Sequence, residues 1–239
     1  MASIVGVIFA IRYASGTATW LTYLALVAVP ILAAIALGWA ARGSRPYLAA
    51  LAVPLFLLAW RTPNSLAGEA AGAILSALSC VTLGVLLGAV TPARWLKLGI
   101  VAMSVADVWL VSSDLLQHPN NVLVAAAPGG GLPQLQSETF GSINMGYGDM
   151  FVAGLLGAAF AHDRRLQFSA AGLTLVFAGL FDLLFFVVNE LPATVPVALA
   201  LIAIQIGLAL SGTGRQMFSR QTAPDGQAAA PEPAPDSSG

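Results

Sequence analysis

Leu66–Val90, LAGEAAGAILSALSCVTLGVLLGAV, carries one charged residue, Glu69, in a run of otherwise small and apolar side chains. Wound as an α-helix at 1.5 Å per residue it is about 37 Å long, more than the ~30 Å of hydrocarbon in a bilayer. A strand of a membrane barrel would alternate polar and apolar residues, and this run does not. It therefore reads as a helix that crosses a membrane.

Working outward, six further apolar runs share its character: Thr17 to Ala41, Pro46 to Trp60, Trp95 to Gln117, Asn144 to Ala161, Phe168 to Asn189 and Pro192 to Ser211. Helix stops and turn residues separate them at Gly43-Ser44-Arg45-Pro46, Thr62-Pro63-Asn64-Ser65 and Thr91-Pro92. Of the 239 residues 58% are hydrophobic and 9% charged, with a mean hydropathy of +0.83, whereas ordinary soluble domains are roughly 25% charged. The expected fold is all-α, a polytopic transmembrane bundle of about seven spans, with an extra short helix within residues 1–13 as an option. Residues 1–94 are expected to hold the N-terminal helices, 95–211 a core with an external loop at 118–143, and 212–239 a disordered cytoplasmic tail.

The basic residues test the span count, because cytoplasmic loops are enriched in Lys and Arg. Arg42, Arg45, Arg94, Lys97, Arg164, Arg165, Arg215 and Arg220 fall on one side, and Arg12 and Arg61 on the other, which accounts for all ten. That division predicts an odd number of spans and a cytoplasmic C-terminus. A net charge of −1 and the lack of a basic stripe exclude nucleic acid as a partner. The single cysteine, Cys80, forms no internal disulfide and reads as membrane packing. His118 and His162 lack metal-ligand spacing, and no metal or cofactor is expected. The loop at 118–143, with Gly129-Gly130-Gly131 at its middle, reads as a linker rather than a lid.

Chemistry concentrates on acids inside the apolar runs, where a charge is costly enough to mark a function. Asp149 follows two glycines in Ile143-Asn144-Met145-Gly146-Tyr147-Gly148-Asp149-Met150-Phe151, and Asp107 sits in the preceding run. Counted from the common inner boundary, each is twelve residues in, so about 18 Å deep. Two facing carboxylates cannot both ionise cheaply, so one keeps a proton while the other activates a water. Asp182 lies at a comparable depth but in no motif, and Asp114 lies nearer the surface. The bland alternatives are a first-turn helix acid for Asp149 and an interhelical hydrogen bond for Asp107.

Gly146-Tyr147-Gly148-Asp149 resembles the GxGD motif of the intramembrane aspartyl proteases, the presenilin and signal peptide peptidase superfamily. Ala106-Asp107 resembles the Tyr-Asp motif on that family's first catalytic helix, with alanine for tyrosine. Leu191-Pro192-Ala193-Thr194 resembles its Pro-Ala-Leu motif, with threonine for leucine. The order of the three is the family's, across about Trp95 to Ser211. The part before Trp95 looks reduced beside the family's usual nine spans, as in a small prokaryotic-type member.

The resemblance implies hydrolysis of peptide bonds inside transmembrane segments, with Asp107 and Asp149 catalytic. Gly146, Tyr147, Gly148, Pro192, Ala193 and Thr194 are then expected to bind substrate, and leucine at position 194 to be tolerated or favoured. The expected partners are transmembrane peptides and the lipid bilayer of a bacterial plasma membrane, and the oligomeric state is left open. Prepilin peptidases also carry GxGD, but typically with a lysine after it, where this chain has Met150. An ion-coupled transporter would use intramembrane acids too, and would require Asp182.

Overall fold

The computed structural model describes residues 15–113, 122, 125, 126, 128–140, 143–183, 192–210 and 212. The possible helix within residues 1–13, Asp114, His118, Leu191, Arg12, Arg215, Arg220 and the tail beyond 212 lie outside the described residues. Seven α-helices and one hairpin make up the described chain: α1 (Ser15–Ile35), α2 (Ala52–Arg61), α3 (Leu66–Val90), α4 (Ala93–Ser112), β1 (Ser137–Phe140), β2 (Ile143–Gly146), α5 (Tyr147–Ala159), α6 (Arg164–Asp182) and α7 (Val195–Leu210). Residues through Leu201 form one compact unit. Those from Ile202 form a second, whose described part is the last half of α7 and Gly212.

The organising stretch forms a single unbroken helix, α3. Ser65 caps it by accepting from the Gly68 N–H at 3.1 Å, and Glu69 sits in its first turn, where the helix dipole favours a negative charge. Packed around α3 are α1, α2, α5 and β1. Its contact with α5 is made backbone to backbone: a Cβ on Gly154 would stand 2.6 Å from the Cys80 carbonyl oxygen, and one on Gly84 would stand 2.6 Å from that of Gly154. Small residues let membrane helices approach this closely when hydrocarbon offers no hydrophobic drive to association. Cys80 is buried at this crossing, the packing role its setting predicts.

Among the described residues three helices are long and apolar enough to cross a membrane: Ala18–Ala40, which runs from α1 through a π-helical turn, Leu66–Val90 and Ala93–Ser112. Pro46–Arg61, Tyr147–Ala159 and Val195–Leu210 are apolar but shorter. The run from Asn144 loses its first three residues to β2, so α5 starts only at Tyr147. The run from Pro46 opens as a 3-10 helix over Pro46–Leu51 before it becomes α2. Trp20, Ile31, Val90, Leu98, Val105 and Trp109 are exposed apolar surface that hydrocarbon would cover.

The linker reading of the loop fails over its described residues. Leu135, 1% exposed, joins Val29 and Ala33 of α1, Ala52 of α2 and Leu75 of α3 in the core. Thr22 Oγ1 donates to the Ala126 carbonyl at 2.9 Å, and the Gly129 N–H donates to the Tyr23 hydroxyl at 3.3 Å. β1 and β2 then pair antiparallel, Ser137 opposite Gly146 and Phe140 opposite Ile143. A leucine between polar residues is too weak a signal to mark core insertion, so the composition of the loop concealed its packing.

The opposite end is cationic. Arg42 Nη1 donates to Gln167 Oε1 at 3.1 Å and Arg42 Nη2 donates to the Ala161 carbonyl, so the π-helical end of α1 is tied to the end of α5 and the start of α6. Lys97 lies 5.1 Å from the Phe160 ring centroid. These contacts bring Arg42, Lys97 and the Arg164-Arg165 pair to the same end of the bundle, as the charge division predicts.

Candidate active site

Asp149 is placed by the change from strand to helix. β2 ends at Gly146, which is the N-cap of α5, and Asp149 is the third helical residue. The Gly146 N–H donates to Asp149 Oδ2 at 3.2 Å, an acid satisfying an N-terminal backbone donor of its own helix. A Cβ at Gly146 would lie 3.3 Å from that same oxygen, so glycine leaves the carboxylate its place. Gly148 is different: it has open space where a Cβ would be, and no close approach demands glycine there. The plain first-turn role for Asp149 is therefore realised, but it does not exhaust the residue. Asp149 is half-buried and lines a cavity.

Asp107 is half-buried in α4, fourteen residues from Ala93 at the start of the helix. Its Oδ2 accepts two hydrogen bonds from one residue, the Thr194 hydroxyl at 2.6 Å and the Thr194 backbone N–H at 3.3 Å. Thr194 is 5% exposed and stands at the start of α7, where its carbonyl accepts from the Ala198 N–H at 3.2 Å. Eighty-seven residues of sequence separate this pair. The structure thus ties Asp107 to the Pro192-Ala193-Thr194 turn, whose Ala193 lines the same cavity as Asp149.

The cavity beside Asp149 has a volume of about 780 Å³ and is lined by α3, α5, α6 and the start of α7. Met145, Met150, Ala153, Gly154, Gly157 and Ala158 form one wall, and Ala193, Pro196 and Val197 belong to another. Small residues on α5 make the room. Asp149 and Arg42 are its charged lining residues, at its hairpin end and its cationic end. Asp107 is not in the wall; it is bonded to Thr194, which directly follows the wall residue Ala193.

Of the residues expected to bind substrate, Ala193 lines the cavity, whereas Gly146, Tyr147, Gly148, Pro192 and Thr194 do not. Tyr147 turns the other way: its hydroxyl is 2.7 Å from Ser79 Oγ on α3, and its ring packs on the core around Leu75. It anchors α5 to α3 rather than facing a ligand. Asp182 is exposed at the far end of α6 and does not line the cavity.

Sequence reasoning missed Ser79, Gln167 and the donor role of Thr194. Ser76 and Ser79, one helical turn apart inside an apolar run, were a readable sign of a polar face on α3. Nothing in the sequence pointed Gln167 towards the Gly157 carbonyl, which its Nε2 reaches at 2.8 Å. No family model matches the chain, and no curated protein or solved structure matches it either.

Proposed function

We propose that the protein is an intramembrane aspartyl protease of the GxGD type, cleaving peptide bonds within transmembrane segments by an Asp107–Asp149 pair and an activated water. The observation that carries the reading is that Asp107 is bonded to the turn at Thr194 while Asp149 and Ala193 of that same turn line one apolar cavity. A first-turn acid needs no cavity, yet Asp149 lines one. A carboxylate in the wall of an apolar space, with a second on the helix packed against its own, is an arrangement that peptide hydrolysis in a membrane can use.

In the proposed cycle Asp107 takes a proton from water as the water oxygen attacks the peptide carbonyl carbon, and Asp149 gives its proton to the carbonyl oxygen. The resulting diol collapses as the proton on Asp107 passes to the leaving nitrogen, and Asp149 recovers a proton from a hydroxyl. Because a helical peptide bond is shielded, the substrate must first be extended. The β1–β2 hairpin runs directly into Asp149 and offers backbone for pairing with an extended chain.

The reading includes a bundle of about seven crossings in a bacterial plasma membrane, with the cationic end of Arg42, Lys97, Arg164 and Arg165 cytoplasmic. With the active site in that orientation, as in signal peptide peptidase, the favoured substrates have a cytoplasmic N-terminus, leftover signal peptides among them. The test is incubation of the detergent-purified protein with a model transmembrane peptide, followed by mass spectrometry. Two shorter peptides from the wild type and none from Asp149→Ala support the reading; an intact peptide in both sinks it.

A further inference from the structure

Resting on the proposed hydrolytic reading, we infer that Thr194 is a positioning residue for Asp107, and that it leaves Oδ1 as the oxygen of Asp107 that exchanges protons with water and substrate. An N-cap threonine ordinarily turns its side-chain oxygen back to accept from the N–H of the second or third helical residue. In α7 the second helical residue is Pro196, which has no N–H to offer, so that only the N–H of Val197 remains for such a bond. The hydroxyl is instead aimed at Asp107, as a donor, at 2.6 Å. The Thr194 N–H, one of the unpaired donors at a helix start, reaches the same oxygen at 3.3 Å.

An oxygen that accepts two donated protons is not the one that carries a third. The two bonds therefore hold the carboxylate in one rotamer, with Oδ2 committed to α7 and Oδ1 left for chemistry. Hydrogen bonds to an ionised group are short and among the strongest a protein makes. Thr194 itself is buried and does not line the cavity, while Ala193 and Pro196 on either side of it do. One turn thus supports the substrate wall and orients the carboxylate behind it, and the two tasks fall to different residues. Threonine where the related motif has leucine is a functional substitution here, which reverses the expectation that leucine would serve as well.

The test compares Thr194→Val, which keeps the shape and removes the hydroxyl, with Thr194→Ser, which keeps the hydroxyl, in the full-length protein on a model transmembrane peptide. Thr194→Val is expected to lower kcat by roughly tenfold or more, as loss of a hydrogen bond to a charged group does, with KM within about twofold. Thr194→Ser restores most of the lost kcat, and Thr194→Leu behaves like valine. Unchanged kcat in Thr194→Val, or a loss confined to KM, overturns the assignment.

Infrared spectra of protein with isotope-labelled aspartate give a readout that needs no cleavage. The carboxylate band that disappears in Asp107→Asn should shift in Thr194→Val and hold its position in Thr194→Ser. A shift in a protein that cleaves nothing keeps the Thr194 assignment and removes the protease reading; an unmoved band removes the assignment whatever the activity.

Discussion

Asp107 and Asp149 are each held by a helix start, but by different ones: Asp149 by the N–H of Gly146 at the head of its own helix, Asp107 by Thr194 at the head of α7. Their unequal surroundings suit unequal roles in one reaction, because paired carboxylates work when their environments separate the two protonation states. At this scale Asp107→Ala and Asp149→Ala are each expected to abolish cleavage while the protein stays folded and membrane-inserted, since the two act as a unit. Asp182→Asn, which alters an exposed residue outside the cavity, should retain activity; an inactive Asp182→Asn would move the site. Both catalytic candidates were legible from the sequence, because an acid in an apolar run stands out against its neighbours. The roles of Thr194 and Tyr147 were not, because a hydroxyl's partner lies across the fold and leaves no trace in local spacing.

Elements succeed or fail as their local signals agree. α3 was legible nearly to the residue because a capping serine, a first-turn acid and a long apolar run all point to one helix. α5 was read three residues too early, since Asn144-Met145-Gly146 is apolar enough to continue a span but is drawn into β2 by pairing with β1. Gly154→Ala would set a Cβ 2.6 Å from the Cys80 carbonyl oxygen, too close for a backbone contact to absorb, so α3 and α5 must separate. The expected cost is about 1–3 kcal/mol, read as a lower Tm in detergent together with reduced cleavage. Leu135→Ala empties a fully buried position among α1, α2 and α3, and should cost about 2–5 kcal/mol by the same measurement. A Leu135→Ala protein as stable as the wild type would return the loop to the status of a linker.

For the molecule as a whole, the membrane reading rests on three helices long enough to cross, and its orientation on where the cations gather. A reporter fused after Arg220 is expected to read cytoplasmic, and a cysteine placed at Gly130 to be labelled from outside intact cells; an external C-terminus would contradict the orientation without touching the chemistry. The convergence of α4, α5 and the start of α7 could be anticipated only through motif order, since the bond between Asp107 and Thr194 spans eighty-seven residues. The proposal stands or falls on whether the two aspartates hydrolyse a peptide bond together. It is tested most directly by mass spectrometry of a model transmembrane peptide incubated with purified wild type, Asp107→Ala and Asp149→Ala. The account predicts one pair of complementary fragments from the wild type and an intact peptide from both variants; fragments from either variant would contradict it.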